Sequence, residues 1–555
     1  MKRLILPLVV FLAFVLRIVW LDKYPVGFTA DEASFGYDAY SILKTGKDQW
    51  GQRLPITLRS FGDFKLPLDT YLTVPSVAVF GLNQFAVRLP NAILGTLAVL
   101  ATYFLVKALF EGKRLAIGHW SLAITASFLL AISSWHIQLS RGAFEANLTT
   151  LFLPLGILFF FKGLRKPKWF IFSAISFGLN LYSYHSARLI TPMVVFFLTW
   201  AVRKEIGKVW KKRSTIISAI IFTLFLLPTV FQLIMSDTRS ADIAIFNPTG
   251  GWGAVVGRRY EGDLMGLPDF VSRIFSNKAV YTGKLLVDNY LSYFSPKFLF
   301  TEGVNNGTYG MVPGIPVLYL IELPFLIAAF WYLIRNKLTG SLPIKLLCFW
   351  VLVSPLPAAL TKGSGFAGNR SAVMMPALQI FSAFGCVILF KLLSKKLHRK
   401  ILFSFFFLIF VLSIAFFGEE YLYHSPLQVA DQMLYGRKEA VDVIKSIEGN
   451  YQEIVFSRSL SEPQIFVAFY NRWDPANYQK ETKDWLRYEA ESKPFLDQLD
   501  GYRLGKYTFG DLHYKEKMDS GKTLFVGKPD DFPAGTILVK EIYHPNREAA
   551  ISIAD

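Results

Sequence analysis

LILPLVVFLAFVLRIVWL (residues 4–21), followed at once by DKYPVGFTADEASFGY (residues 22–37), sets how the rest of the chain is read. The first stretch is long and apolar enough to cross a bilayer, for which roughly 17–25 residues suffice as a helix. It follows Met1-Lys2-Arg3 as a signal peptide would, yet it carries Arg17 and Trp20 and shows no small-residue cleavage pattern before Asp31. It therefore reads as an uncleaved first helix. The second stretch places two adjacent carboxylates, Asp31 and Glu32, at the membrane rim. Charge there is costly to desolvate and adds nothing to lipid packing, so the pair points to chemistry or ion handling.

The remainder of the chain repeats the apolar pattern. Of 555 residues, 53% are hydrophobic and 51 are Phe, the composition of a polytopic membrane protein. Apolar runs occur about eleven times, near 4–21, 85–106, 115–137, 146–161, 169–183, 189–202, 214–235, 315–334, 342–360, 371–390 and 401–418. Segments 2–3, 107–114, 162–168, 203–213, 335–345 and 391–400 hold 23 of the 59 basic residues but two of the 41 acidic ones, Glu111 and Glu205. That side is expected to be cytoplasmic. Elsewhere 36 basic residues face 39 acidic ones, so the net charge of +18 is a topology signal and not a nucleic-acid signal. An odd number of spans puts the N-terminus inside and the C-terminus outside. Both cysteines, Cys348 and Cys386, fall in expected spans, leaving the outer segments without a disulfide.

Three outer pieces follow: 22–84, 236–314 and the tail from about 419 to 555. Glu32–Leu43 and Leu66–Phe80 have partly amphipathic spacing, which predicts short helices along the membrane surface. Residues 236–314, rich in Gly, Asn and aromatics, read as an ordered functional loop. The tail turns polar and strand-like at 453–457, 465–470, 523–526 and 537–540, with a helical pattern over 437–447, which predicts a small soluble α/β domain. Asn-X-Thr triplets at Asn147 and Asn306 are read as chance matches.

The acids near the outer rim are Asp31, Glu32, Asp63, Glu145 and Glu322. Asp31 and Glu32 also suit the first turn of a helix. Arg141 and Glu145, four apart, also suit an ordinary helical ion pair. Lys65, His185, Arg188 and Arg370 lie at expected outer helix ends, where the positive-inside bias disfavours cations, so together they suggest an anionic partner such as a phosphate. Tyr184 adjoins His185 within the same segment. Arg17 and Arg88 read as structural. The chain has no phosphate-binding Gly-Lys-Ser/Thr loop, no His-Glu-x-x-His and no nucleophile elbow.

A first span, an Asp-Glu pair followed by Ala, then Gly62-Asp-Phe-Lys-Leu-Pro-Leu and Phe80-Gly-Leu-Asn-Gln-Phe-Ala-Val-Arg-Leu-Pro resemble the polyprenyl-phosphate-dependent glycosyltransferases of the GT-C fold. The likeness is to the bacterial branch of glycosyltransferase family 39, alongside protein O-mannosyltransferases and aminoarabinose transferases. It is strongest over residues 1–200 and weak in the tail. The resemblance implies a GT-C domain for residues 1–418, where about eleven spans are expected, with the tail 419–555 read as the extracytoplasmic α/β domain. It implies an inverting transfer, outside the cytoplasmic membrane, of a sugar from a polyprenyl phosphate to an acceptor hydroxyl of a protein, lipid or glycan. Asp31 then matches the base, with Glu32 and Glu145 as further acids of the site. Lys65 matches the residue near the donor phosphate, with His185, Arg188 and Arg370 as further phosphate ligands and Asp63, Arg141 and Tyr184 in support. Lys-Leu-Pro stands here where family members often have Lys-Pro-Pro.

No metal or other cofactor is required by such a donor, although Asp31 and Glu32 together could bind a divalent cation. The competing reading is a transporter or lipid flippase. Its best support is Glu322, some seven residues inside the eighth expected span.

Overall fold

The computed structural model describes residues 2–111, 118–235, 245, 248–304, 307–361, 366–517 and 522–555. Its first half is a run of helices: α1 (Lys2–Ile18), α2 (Ala30–Thr45), α3 (Leu68–Phe80), α4 (Gln84–Phe110), α5 (His119–Ile132), α6 (Ser134–Arg141), α7 (Ala146–Arg165), α8 (Trp169–Leu181), α9 (His185–Ala201), α10 (Arg203–Val209) and α11 (Arg213–Met235). A two-stranded ribbon, β1 (Leu58–Arg59) with β2 (Phe64–Lys65), lies between α2 and α3. Among the described residues five helices are long and apolar enough to cross a membrane: Gln84–Phe110, Ala146–Arg165, Arg213–Gln232, Leu342–Ala359 and Arg399–Val429. Counting each bent pair as one span gives up to eight, so the expected eleven is not established. The shortfall arises because several apolar runs are broken or short. α5 and α6 meet at 56°, α9 and α10 at 81°, and α1 and α8 are short apolar helices.

Glu322 begins the helix Glu322–Arg335 instead of lying within a span, and its Oε1 accepts from Tyr319 N at 3.1 Å. A capping acid at a helix start needs no transport role. Over the segment expected as an ordered loop, the chain forms helices Pro248–Leu264, Asp269–Phe275 and Lys278–Ser292. Asn277 caps the last of these by accepting from Val280 N at 3.0 Å. Asn306 lies outside the described residues, and Asn147 is buried.

The tail carries a six-stranded sheet in the order β4-β5-β3-β6-β8-β7, from β3 (Glu453–Ser457), β4 (Tyr502–Leu504), β5 (Tyr507–Gly510), β6 (Thr523–Gly527), β7 (Leu538–Tyr543) and β8 (Ala549–Ala554). β3 is central and parallel to both β5 and β6, and its apolar run is buried, as expected for a strand covered on both faces. The helical pattern at 437–447 forms the helix Arg437–Ile447. The run at 465–470, expected as a strand, is instead part of the helix Pro463–Tyr470. A short continuous apolar run does not distinguish a buried strand from a buried helix; here Pro463 opens the helix and residues 463–469 are all buried.

That helix decides where α2 sits. α2 was expected along the membrane surface, but it is buried nearly all round, from Glu32 to Ala39 and at Ser41 and Ile42. Phe28, Ala33, Phe35, Tyr37 and Ala39 share one apolar core with Phe456, Phe466, Phe469 and Trp485 of the sheet domain. A Cβ on Gly36 would meet Val87 Cγ2 at 2.5 Å and Phe469 Cε2 at 2.6 Å, so glycine lets α2 fit closely between α4 and the tail. Tyr37 Oη donates to Trp473 O at 3.1 Å, and Gln479 Nε2 donates to Ser41 Oγ at 3.0 Å.

Candidate active site

The site begins at the cap of α2. Thr29 Oγ1 accepts from Glu32 N at 3.2 Å and Glu32 Oε2 accepts from Thr29 N at 3.1 Å, a reciprocal capping box. Arg88 of α4 donates to the same carboxylate, Nε to Oε1 at 2.8 Å and Nη2 to Oε2 at 3.1 Å. Ala143 N adds a fourth donor, to Oε1 at 3.1 Å. A carboxylate offers about four lone-pair sites, and all four of Glu32's are filled. Glu32 is therefore unsuited to share a cation with Asp31, and its geometry is that of a clamp. Arg88 also donates to the carbonyls of Leu21, Pro25 and Gly27, fixing the segment that leads into α2.

With Glu32 turned inward, Asp31, one residue earlier on a helix, faces elsewhere and is exposed. Its charge acts on Glu145, Tyr184 and Tyr309. Glu145 stands just outside the span Ala146–Arg165, with Oε1 buried and no protein hydrogen-bond partner for it. Burial, then the neighbouring Asp69 and Asp31, hold its carboxyl well above the usual range; Lys65 opposes them and Asp63 adds to them. The geometry thus gathers Asp31, Asp63, Lys65 and Glu145 into one electrostatic neighbourhood. Tyr184 and Arg370 join it: Tyr184 Oη accepts from Asn369 Nδ2 at 2.8 Å and feels the charge of Arg370, whose Nη1 donates to Thr361 Oγ1. Arg188 lies farther along α9, donates from Nη2 to Gln232 Oε1 at 2.8 Å, and leaves a buried Nε without a protein partner.

One expected member, Arg141, is held elsewhere, and another, His185, stands beside Tyr184 at the start of α9. Arg141 does not form the anticipated pair with Glu145: α6 ends at Arg141, and Gly142 is extended, so the helical four-residue relation fails. Its guanidinium instead donates to the carbonyls of Leu16, Val19, Trp20 and Tyr24, closing the end of α1. His185 opens α9 as an exposed side chain, its ring 6.2 Å from that of Tyr184.

Lys65 is deeply buried at the end of β2. Its Nζ donates to Ser34 Oγ and to Asp38 Oδ2, the latter at 3.2 Å, and lies 4.5 Å from the centre of the Phe35 ring. Gln49 completes the cluster: its backbone N donates to Asp38 Oδ1 at 3.0 Å, and its Nε2 to Asp38 Oδ2 at 3.1 Å and Ser34 Oγ at 2.8 Å. Asp38 and Gln49 escaped the sequence reading, as did the buried Asp69, whose Oδ1 accepts from Asn91 Nδ2 at 2.6 Å. Ser34 and Asp38 one turn apart on α2, opposite a lysine, was the available signal. The groups of three metal-ligating side chains among the described residues, Glu419 with Glu420 and His424, and Asp500 with Asp511 and His513, include none of the site residues.

Residues 65–230 match the family described as dolichyl-phosphate-mannose-protein mannosyltransferase. A putative mannosyltransferase, YkcB, of Bacillus subtilis is 28% identical over 149 residues, which is 26% of this chain and 20% of that protein. An uncharacterized protein of Aquifex aeolicus is 23% identical over 210 residues, 36% of this chain and 39% of that protein. The matched parts thus span less than half the length of either relative. In structure the chain is similar to ArnT from Cupriavidus metallidurans bound to undecaprenyl phosphate, with a TM-score of 0.53 and 12% identity over 99% of this chain and 97% of that one. The fold is similar to that of GT-C membrane enzymes, and residues 65–230 are similar to glycosyltransferase family 39.

Proposed function

We propose that the chain is an inverting glycosyltransferase that moves a sugar from a polyprenyl-phosphate donor to an acceptor hydroxyl at the outer face of the cytoplasmic membrane. The observation that carries this reading is the separation of the adjacent acids: Glu32 has every acceptor site filled, while Asp31 is exposed and its charge acts on Glu145, Tyr184 and Tyr309. A general base must be accessible and must sit opposite groups that receive the departing anion. Arg370 meets Tyr184 on that side and Lys65 acts on Glu145, so cations and base share one neighbourhood.

In the proposed step Asp31 accepts the acceptor's hydroxyl proton as its oxygen attacks the anomeric carbon. The new carbon–oxygen bond forms as the bond to phosphate breaks with inversion, and polyprenyl phosphate leaves with the electron pair. Lys65, Arg370 and Arg188 stabilise that anion in a site of fixed donors, which needs no reorganisation. A donor that already carries its phosphate leaving group requires no metal to activate it. Glu145, with its carboxyl raised, is suited to hydrogen-bond the donor or acceptor from the proton-bearing form. Glu32 and Arg141 hold the chain around the site.

The test is Asp31→Asn in full-length protein reconstituted with lipid-linked sugar. Turnover is expected to fall by about 10²–10⁴-fold, the usual worth of a positioned base, with thermal stability unchanged. Full activity would remove Asp31 from the mechanism.

A further inference from the structure

We infer that Asp38 is a positioning residue that holds the Lys65 side chain in place for the donor phosphate, and that Gln49 fixes Asp38 in turn. The inference rests on the proposed reading of Lys65 as a phosphate ligand. Three features of the structure carry it.

Asp31, Ser34 and Asp38 occupy positions i, i+3 and i+7 of α2 and so share one face of that helix. The proposed base and the two anchors of Lys65 therefore stand on one rigid element, about 10 Å apart along its axis at 1.5 Å per residue. The spacing between the proposed base and the groups that anchor Lys65 is thus set within α2 itself.

Asp38 is wholly buried, as is Gln49, and each Asp38 oxygen is hydrogen-bonded. Burial raises its carboxyl, while Lys65 and the two Gln49 donors oppose that shift. Such a carboxylate has one evident function in this setting, to compensate the buried ammonium.

Lys65 donates to Ser34 and Asp38, which leaves one of its three N–H groups for an incoming oxygen. The other acids acting with it are Asp48 from the loop after α2, Asp69 from α3 and Glu145 ahead of α7; Phe35 covers it from α2. Without Asp38, Lys65 loses the charged partner that fixes where its remaining N–H points.

The geometry also supplies a rescue. Gln49 Nε2 touches both Ser34 Oγ and Asp38 Oδ2, so exchanging amide and carboxylate between the two positions keeps the charge beside Lys65. Binding of undecaprenyl phosphate to the full-length protein would be measured for the parent, Asp38→Asn, Asp38→Asn with Gln49→Glu, and Lys65→Ala. Asp38→Asn is expected to bind roughly tenfold more weakly than the parent. The double variant is expected to return to within about threefold of the parent. Parent-like binding by Asp38→Asn overturns the inference, as does a folded double variant that fails to recover. If Lys65→Ala binds as the parent does, the underlying reading of Lys65 fails instead.

Discussion

Arg88 Nε lies 2.8 Å from Glu32 Oε1 with neither side chain exposed to solvent, although 56 positions separate them. The contact joins the cap of α2 to α4 and, through Ala143 N, to the turn that presents Glu145. Removing one partner of a buried pair strands the other charge, so Glu32→Gln should cost about 3–5 kcal/mol of stability. A thermal melt in detergent checks this, and an unchanged melting temperature with lost turnover would instead return Glu32 to the chemistry.

Gly36→Ala tests how α2 is held. The added methyl would press on Val87 and Phe469, and overpacking of this kind costs about 1–3 kcal/mol. Protease sensitivity of the tail in the folded protein should rise, because the clash falls between α2 and the helix Pro463–Tyr470. Unchanged cleavage would show that the two surfaces separate without strain.

Asp48 gives a pH dependence. Burial, reinforced by Asp38, pushes its carboxyl up to about 7. In the unfolded chain the value is about 3.9, so the protonated folded form contributes stability fully below about pH 4, and that contribution is lost as pH rises through 7. Asp48→Asn stays neutral and keeps an oxygen for Trp50 N and Gln52 N. Its melting temperature should equal the parent's at pH 4 and exceed it at pH 8; parallel curves would contradict the assignment.

Topology is tested by fusing a reporter after residue 430. Activity is expected only outside the cytoplasmic membrane, as the positive-inside distribution of basic residues requires. A cytoplasmic signal would invert the arrangement and put Asp31 on the wrong face for a lipid-linked donor displayed outside.

Much of the helical framework was legible because a bilayer imposes a local rule: each span must be apolar and must satisfy its own backbone. The helix at 437–447 and the strands at 453–457 and 523–527 were legible for a similar reason, their periodicity being written in neighbouring residues. The run at 465–470 was not, since burial on all sides erases the periodicity that separates strand from helix. Among the site residues, Asp31, Lys65 and Glu145 were visible as charges in places where charge is costly. Asp38 and Asp69 were hidden among ordinary polar positions of short helices.

The sequence by itself determined where apolar runs recur, which side carries the positive charge and which ionisable residues sit at the rim, because hydrophobicity and charge bias are properties of single segments. The tertiary structure alone decided what each of those charges does. Whether Glu32 is a catalyst or a clamp depends on Arg88, and whether Lys65 stands free or compensated depends on Asp38, 27 residues away. A buried charge is defined by its partner, and chain folding chooses that partner.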